Sequence, residues 1–155
     1  IKDFEHGLFA YNQTFSQSGY AAPYQHMKPE GFWFKRQLQT ERHLSSALAV
    51  AEGVADIASL DAVTWQFACE YEPFAKSLRV LQWTQPTPGL PLITSKKNHA
   101  PTVYTAVVAA IRELDKVDRH LLGIKGLVKI PKQTYLAVPN PPEQTECSTI
   151  ASSLR

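Results

Sequence analysis

Cysteine is scarce: the 155 residues hold two. Cys69 lies in an apolar helical stretch and Cys147 in a polar tail. So placed, they make neither a disulfide framework nor a metal-ligand spacing. Basic runs are also missing. Lys and Arg are scattered, none clustered beyond Lys96-Lys97, and the net charge is only +2. That is not the electrostatic footprint of a nucleic-acid or membrane-surface binder. No apolar run reaches the roughly 18 residues of a transmembrane helix. Catalytic signatures are absent as well: no GxSxG, no Walker loop, no GxGxxG and no HExxH. Ser16-Gln17-Ser18-Gly19-Tyr20 is not a nucleophile elbow, because glycine does not flank a serine on both sides. With no activated nucleophile or acid–base pair in view, the chain is not expected to be an enzyme. No cofactor or metal is called for.

What is present is ordinary for a globular domain: 44% hydrophobic and 19% charged residues, in a length that fits one domain with a real core. The most informative stretch runs from Leu8 to Tyr20. Residues 8–11 form a short apolar run of strand length. Residues 12–18 are almost all polar and rich in turn formers. Residues 20–27 continue as a helix, with Pro23 in its first turn, where a missing N–H costs nothing. Ser16 and Ser18 then sit at or beside the helix N-cap. Free backbone N–H groups, the positive end of the helix dipole and two hydroxyls converge there, which is the chemistry of an anion site. Gly19 lets a ligand approach the backbone. The plainer reading is that a serine simply caps a helix.

Further along, residues 32–39 read as a strand with Phe32 and Phe34 on one face. Residues 44–52 read as a helix with an apolar stripe of Leu44, Ala47, Leu48 and Ala51, ended by Gly53. Residues 55–60 read as a strand, and Asp61 caps a helix over 62–71. Residues 78–83 have strand composition. A Pro-rich connector and a short extended piece, 90–94, lead to the longest helix, 101–116, striped by Val103, Val107, Ala110, Ile111 and Leu114. A shorter helix over 118–122 and a turn-rich return over 123–131 follow. Strands alternating with helices predict an α/β fold: a three-layer αβα sandwich around a mostly parallel sheet. The expected organisation is a single lobe over 1–138 and a loose tail over 139–155. In such sheets ligands bind beyond the carboxyl ends of the strands. Three polar clusters fall at those ends: residues 12–18, 40–43 and 59–61. His43, Asp61 and Trp65 are the candidates there. Each also has a structural reading, as a loop histidine, a helix cap and a core aromatic.

Four stretches, in order, resemble the periplasmic solute-binding proteins of phosphate/phosphonate-type ABC importers. They are Phe9-Ala-Tyr-Asn12 with Ser16-Gln-Ser-Gly-Tyr20; Thr40-Glu-Arg-His43 with Ser46 and residues 49–56; Ile57-Ala-Ser-Leu-Asp61-Ala-Val-Thr-Trp65; and residues 78–84 with 87–94. The match is best over 1–94, and residues 95–138 resemble the returning helices. Members of this family have two α/β lobes of the type II periplasmic-binding-protein fold, which close on ligand. The resemblance implies that this chain is the second lobe plus the C-terminal part. It therefore implies a fragment whose N-terminal lobe lies elsewhere.

It further implies an anion site at Ser16, Ser18, Gly19 and Tyr20, with a hydrogen bond from His43. Asp61, Asn12 and Trp65 would read the rest of the ligand. The family's Gly-Ser-His turn falls on Glu41-Arg42-His43, so the histidine is kept and two small residues are replaced. Where aminophosphonate binders carry a carboxylate, this chain has Val63, with Asp61 two residues earlier. That specificity is therefore not implied. The expected function is the solute-binding component of an ABC importer for a small oxyanion such as phosphonate, phosphate or phosphite. Permease subunits are its expected partners and the periplasm its expected place. A half-protein of this kind also exposes a former lobe interface, so self-association is expected. The rival readings are a ligand-sensing regulatory domain and a thiamin-pyrimidine-related protein of the same fold.

Overall fold

The computed structural model describes residues 1–138 and 140; apart from Asn140 the expected tail, with Cys147, falls outside them. The chain divides into two compact units, Ile1–Pro86 and Thr87–Val138.

The first unit is built on three parallel strands: β1 (Leu8–Tyr11), β2 (Arg36–Gln39) and β3 (Ile57–Ala58), in the order β2-β1-β3. Leu8 to Tyr11 align with Arg36 to Gln39, while Phe9 and Ala10 align with Ile57 and Ala58. Three helices connect and follow them: α1 (Ala22–Met27), α2 (His43–Ala51) and α3 (Ala62–Tyr71). β1 lies in the middle and alternates its side chains between two cores. Phe9 and Tyr11 join Tyr20, Tyr24, Met27, Phe32, Trp33, Phe34 and Ile57 in an aromatic cluster. Ala10, with Leu8 beside it, meets Ala49 and Ala55 on the other side. Aromatic rings fill the first face in mixed geometry. Phe9 stacks on Phe34 at 4.8 Å, and Trp33 stands edge-on to both Tyr20 and Tyr24. The second face is lined by small residues, so α2 lies close against the sheet.

Two expectations change here. Residues 32–34 are not strand: all three rings are buried in the aromatic cluster, and β2 begins only at Arg36. The side of α2 turned inward carries Ser46, Ala47 and Ala49, while Leu44 and Leu48 are exposed. Close packing against an alanine-lined sheet selects small side chains over leucines. Ser46 is fully buried, and its hydroxyl lies 2.6 Å from Thr40 Oγ1, which in turn donates to the Tyr11 carbonyl at 3.1 Å. This knot fixes the start of α2 against the end of β1. Gly53 closes the helix region with φ 72°, as its composition predicts.

Residues 78–83 form no strand among the described residues, because no neighbouring strand pairs with them. His26 and Gln82 are joined there by a 2.9 Å hydrogen bond.

The second unit holds α4 (Ala100–Glu113), α5 (Lys116–Leu121) and α6 (Lys132–Leu136). Asp115 caps α5, accepting from the Asp118 amide at 2.8 Å. α6 is a short helix beginning after Pro131, just beyond the turn-rich return expected over 123–131. No residue of this unit is buried, the α4 stripe included.

Candidate functional site

The chain leaves β1 for β2 on one side and leaves β3 on the other, so strand order reverses between β1 and β3. In parallel sheets the crevice outside the carboxyl ends at such a reversal is where ligands bind. Two segments emerge there: the turn after β1 and residues 59–61 after β3.

The turn after β1 ends at Ser16, whose extended backbone (φ −71°, ψ 128°) makes it the N-cap of the wide, π-type turn Gln17–Ala21 that runs into α1. Its hydroxyl accepts from the Gly19 amide at 3.1 Å. Its carbonyl accepts from the Tyr20 and Ala21 amides at 3.2 and 3.0 Å. The expectation that the Gly19 and Tyr20 amides are open to an anion is therefore corrected: both already donate to Ser16. The Tyr20 ring is also turned inward, packing on Tyr11 and Trp33 and donating its hydroxyl to Gln37 Oε1 at 3.0 Å.

Gly19 has a reason for being glycine other than ligand approach. A Cβ there would run into Asn12 Oδ1 and would stand 3.0 Å from Asn12 Cγ and 3.1 Å from His43 Cε1. Asn12, just past β1, therefore occupies the space that glycine leaves. Its Oδ1 is buried without a hydrogen-bond partner among the described residues.

Ser18 meets the same histidine ring. Its Oγ lies 3.2 Å from His43 Nε2, so the turn after β1 and the first residue of α2 meet through side chains. Its carbonyl accepts a 2.8 Å hydrogen bond from Ser59 Oγ, which ties in the segment after β3. Asp61 caps α3, accepting from the Val63 and Thr64 amides at 2.9 and 3.0 Å. Burial lowers the pKa of His43 from its ordinary 6.5, while the Asp61 carboxylate and the Ser59 backbone act in the opposite direction. The resting imidazole is thus biased toward the neutral form. No hydrogen-bond partner with good geometry meets His43 Nδ1, which is buried.

Six of the eight candidate residues, Asn12, Ser16, Ser18, Gly19, His43 and Asp61, thus converge. Tyr20 adjoins them through its backbone, its amide donating to the Ser16 carbonyl. Trp65 sits a turn along α3, half-buried; its backbone amide donates to the Asp61 carbonyl at 2.9 Å, as part of the helix start. Ser59 was not singled out as a binding residue from the sequence. Its signal was its place in the polar segment ending β3.

The turn that departs from the family pattern also has a physical account. Glu41 has φ 66°, a left-handed backbone that glycine adopts without strain. Its carboxylate accepts from Gln39 Nε2 at 2.7 Å and from Gln13 Nε2 at 3.2 Å, and its amide donates to the Asn12 carbonyl at 3.0 Å. A glutamate thus holds a backbone conformation that favours glycine.

Among the described residues no three His, Cys, Asp or Glu side chains gather as a metal site, and no helix is long and apolar enough to cross a membrane. Polar side chains thus gather at a strand-order reversal in a parallel α/β unit, the place where such sheets bind ligands. The family model of the phosphonate periplasmic substrate-binding protein of ABC transporters matches residues 1–135, and the chain belongs to that family. No curated protein matches the chain.

Proposed function

We propose that this chain contributes one lobe of a type II periplasmic-binding-protein fold, a three-layer αβα lobe that binds a small oxyanion for import. Phosphonate, phosphate and phosphite are the class. The observation that carries the reading is the Ser18–His43 pair at 3.2 Å, set at the carboxyl ends of the strands where their order reverses. Ser18 is the principal donor, His43 adjusts it, and Asn12 and Asp61 border the ligand. Ser16 acts indirectly, by holding the Gly19 amide and the start of the turn.

A facing lobe completes the clamp. Permease subunits receive the solute, and binding without chemical turnover is the role.

The test is a thermal-shift and calorimetric screen with phosphate, phosphite, methylphosphonate, 2-aminoethylphosphonate and sulfate. A ligand at about 100 times its Kd adds roughly 2.7 kcal/mol of stability. Ser18→Ala should weaken the responding anion by about 10- to 100-fold, the loss of one charge-assisted hydrogen bond of about 1.5–3 kcal/mol. An unchanged affinity removes Ser18 from the site.

A further inference from the structure

A histidine that serves a site is commonly held through both ring nitrogens. His43 is held through one. Its Nε2 lies 3.2 Å from Ser18 Oγ, while Nδ1 is buried and meets no hydrogen-bond partner of good geometry among the described residues. A ring on one hydrogen bond can rock about it, so its direction depends on what packs against its edge. At Gly19 the structure shows what that is. The point where a Cβ would stand lies 3.1 Å from His43 Cε1 and 3.0 Å from Asn12 Cγ, and Asn12 Oδ1 fills the space. Three segments meet there: the end of β1, the turn that follows it and the start of α2.

Asn12 is anchored through its main chain. The Thr40 amide donates to the Tyr11 carbonyl at 2.9 Å and the Glu41 amide to the Asn12 carbonyl at 3.0 Å, which carries the β1–β2 pairing past the ends of both strands. His43 follows Glu41 by two residues. The carboxamide and the imidazole are thus mounted on the same paired stretch of backbone. Asn12 Oδ1 itself is buried without a hydrogen-bond partner among the described residues. An acceptor buried in that way detracts from stability, so its presence calls for a reason beyond the fold. Sealed from solvent, the atom does not itself hold a solute.

Building on the oxyanion reading above, we propose that Asn12 is a positioning residue: its carboxamide, seated in the space left by Gly19, wedges the His43 ring so that Nε2 stays on Ser18, and it acts on the bound anion through that ring. Glycine at position 19 is the counterpart of the wedge, since a side chain there would displace it.

The experiment uses the full chain and two readouts, one of which needs no ligand. In NMR of the empty chain, His43 Hε1 should show a nuclear Overhauser contact to the Gly19 α-protons. Asn12→Ala should weaken it as the ring gains freedom. Adding Gly19→Ala returns a methyl to the emptied space, 3.1 Å from Cε1, and should bring the contact back, now to that methyl. The second readout is calorimetry with inorganic phosphate. Asn12→Ala should weaken binding about tenfold, within the range of coupling between residues in contact. The double variant should recover most of that loss. In a His43→Ala background, Asn12→Ala should change affinity by less than about twofold, the limit of additive behaviour. A ring contact unchanged by Asn12→Ala overturns the wedge. A tenfold loss that persists without His43 also overturns it, because Asn12 would then act on the ligand or the fold directly. Failure of phosphate, methylphosphonate and phosphite all to bind overturns the oxyanion reading, and the ligand-free ring contact still decides whether Asn12 holds the ring.

Discussion

The two units of this chain contrast in how their helices earn their place. In Ile1–Pro86 the helices α1 and α2 are short and weakly patterned, yet both contribute buried residues. In Thr87–Val138 the helix α4 has 14 residues and a clear apolar stripe, yet none of its residues is buried. Periodicity reports which face of a helix prefers an apolar neighbour. It does not report whether the neighbour is there. Stability in the described residues therefore resides in the β-containing unit, in an aromatic layer on one side of β1 and an alanine layer on the other.

The sharpest way to break that contrast is to truncate the aromatic layer. Phe9→Ala should cost about 3–5 kcal/mol in urea denaturation, since the ring is fully buried among other rings. A loss under about 1 kcal/mol would mean that the layer does not hold the unit together. Next in size is Gly19→Ala, which forces a methyl onto Asn12 and should cost about 1–3 kcal/mol. Asn12→Ala in the same chain should recover a large part of that loss. Additive losses in the double variant would refute the interlock.

Glu41→Gly should act in the opposite direction. Relief of a left-handed glutamate is worth roughly 1–2 kcal/mol, partly offset by the greater backbone freedom of glycine in the unfolded chain. A stabilisation of about 1 kcal/mol is expected, and a destabilisation would show that the contacts from Gln13 and Gln39 dominate. Smallest is Ile111→Ala on α4, expected to stay below about 1 kcal/mol because the side chain is only half-buried.

Acidity supplies a separate test. His43 has a pKa below 6.5 in the folded chain, so the unfolded state binds more protons as pH falls through that value. The empty protein should lose the His43 contribution below about pH 6.5, and the loss should level off below the lowered folded pKa. His43→Gln should flatten this part of the profile of Tm against pH.

Local chemistry made much of the first unit readable. The strand at Leu8–Tyr11, the caps at Ser16 and Asp61 and the stop at Gly53 each depend on residues within a turn of one another. Features that depend on a distant partner were harder to read. The aromatic triplet 32–34 has strand composition but is taken up by tertiary packing, and residues 78–83 have it without a pairing strand. The buried side of α2 is chosen by the alanines of the sheet beneath it, so its two leucines misled. At the candidate site, Gly19 suggested space for a ligand. That space is filled by Asn12, from a segment whose return to it no local pattern reveals. Why Glu rather than Gly occupies position 41 has no local signal either, because φ is not written in composition.

The hydrogen bond from Ser59 to the Ser18 carbonyl carries a kinetic consequence. It fastens two separate loops to each other, so, on the proposed reading, the Ser18 side of the site needs no ordering when a solute arrives. Capture on this lobe should then proceed at a rate set by encounter, and solutes should be distinguished by how long they stay. Ser59→Ala would loosen the two loops and slow capture, a change visible in stopped-flow association even where the equilibrium affinity moves little.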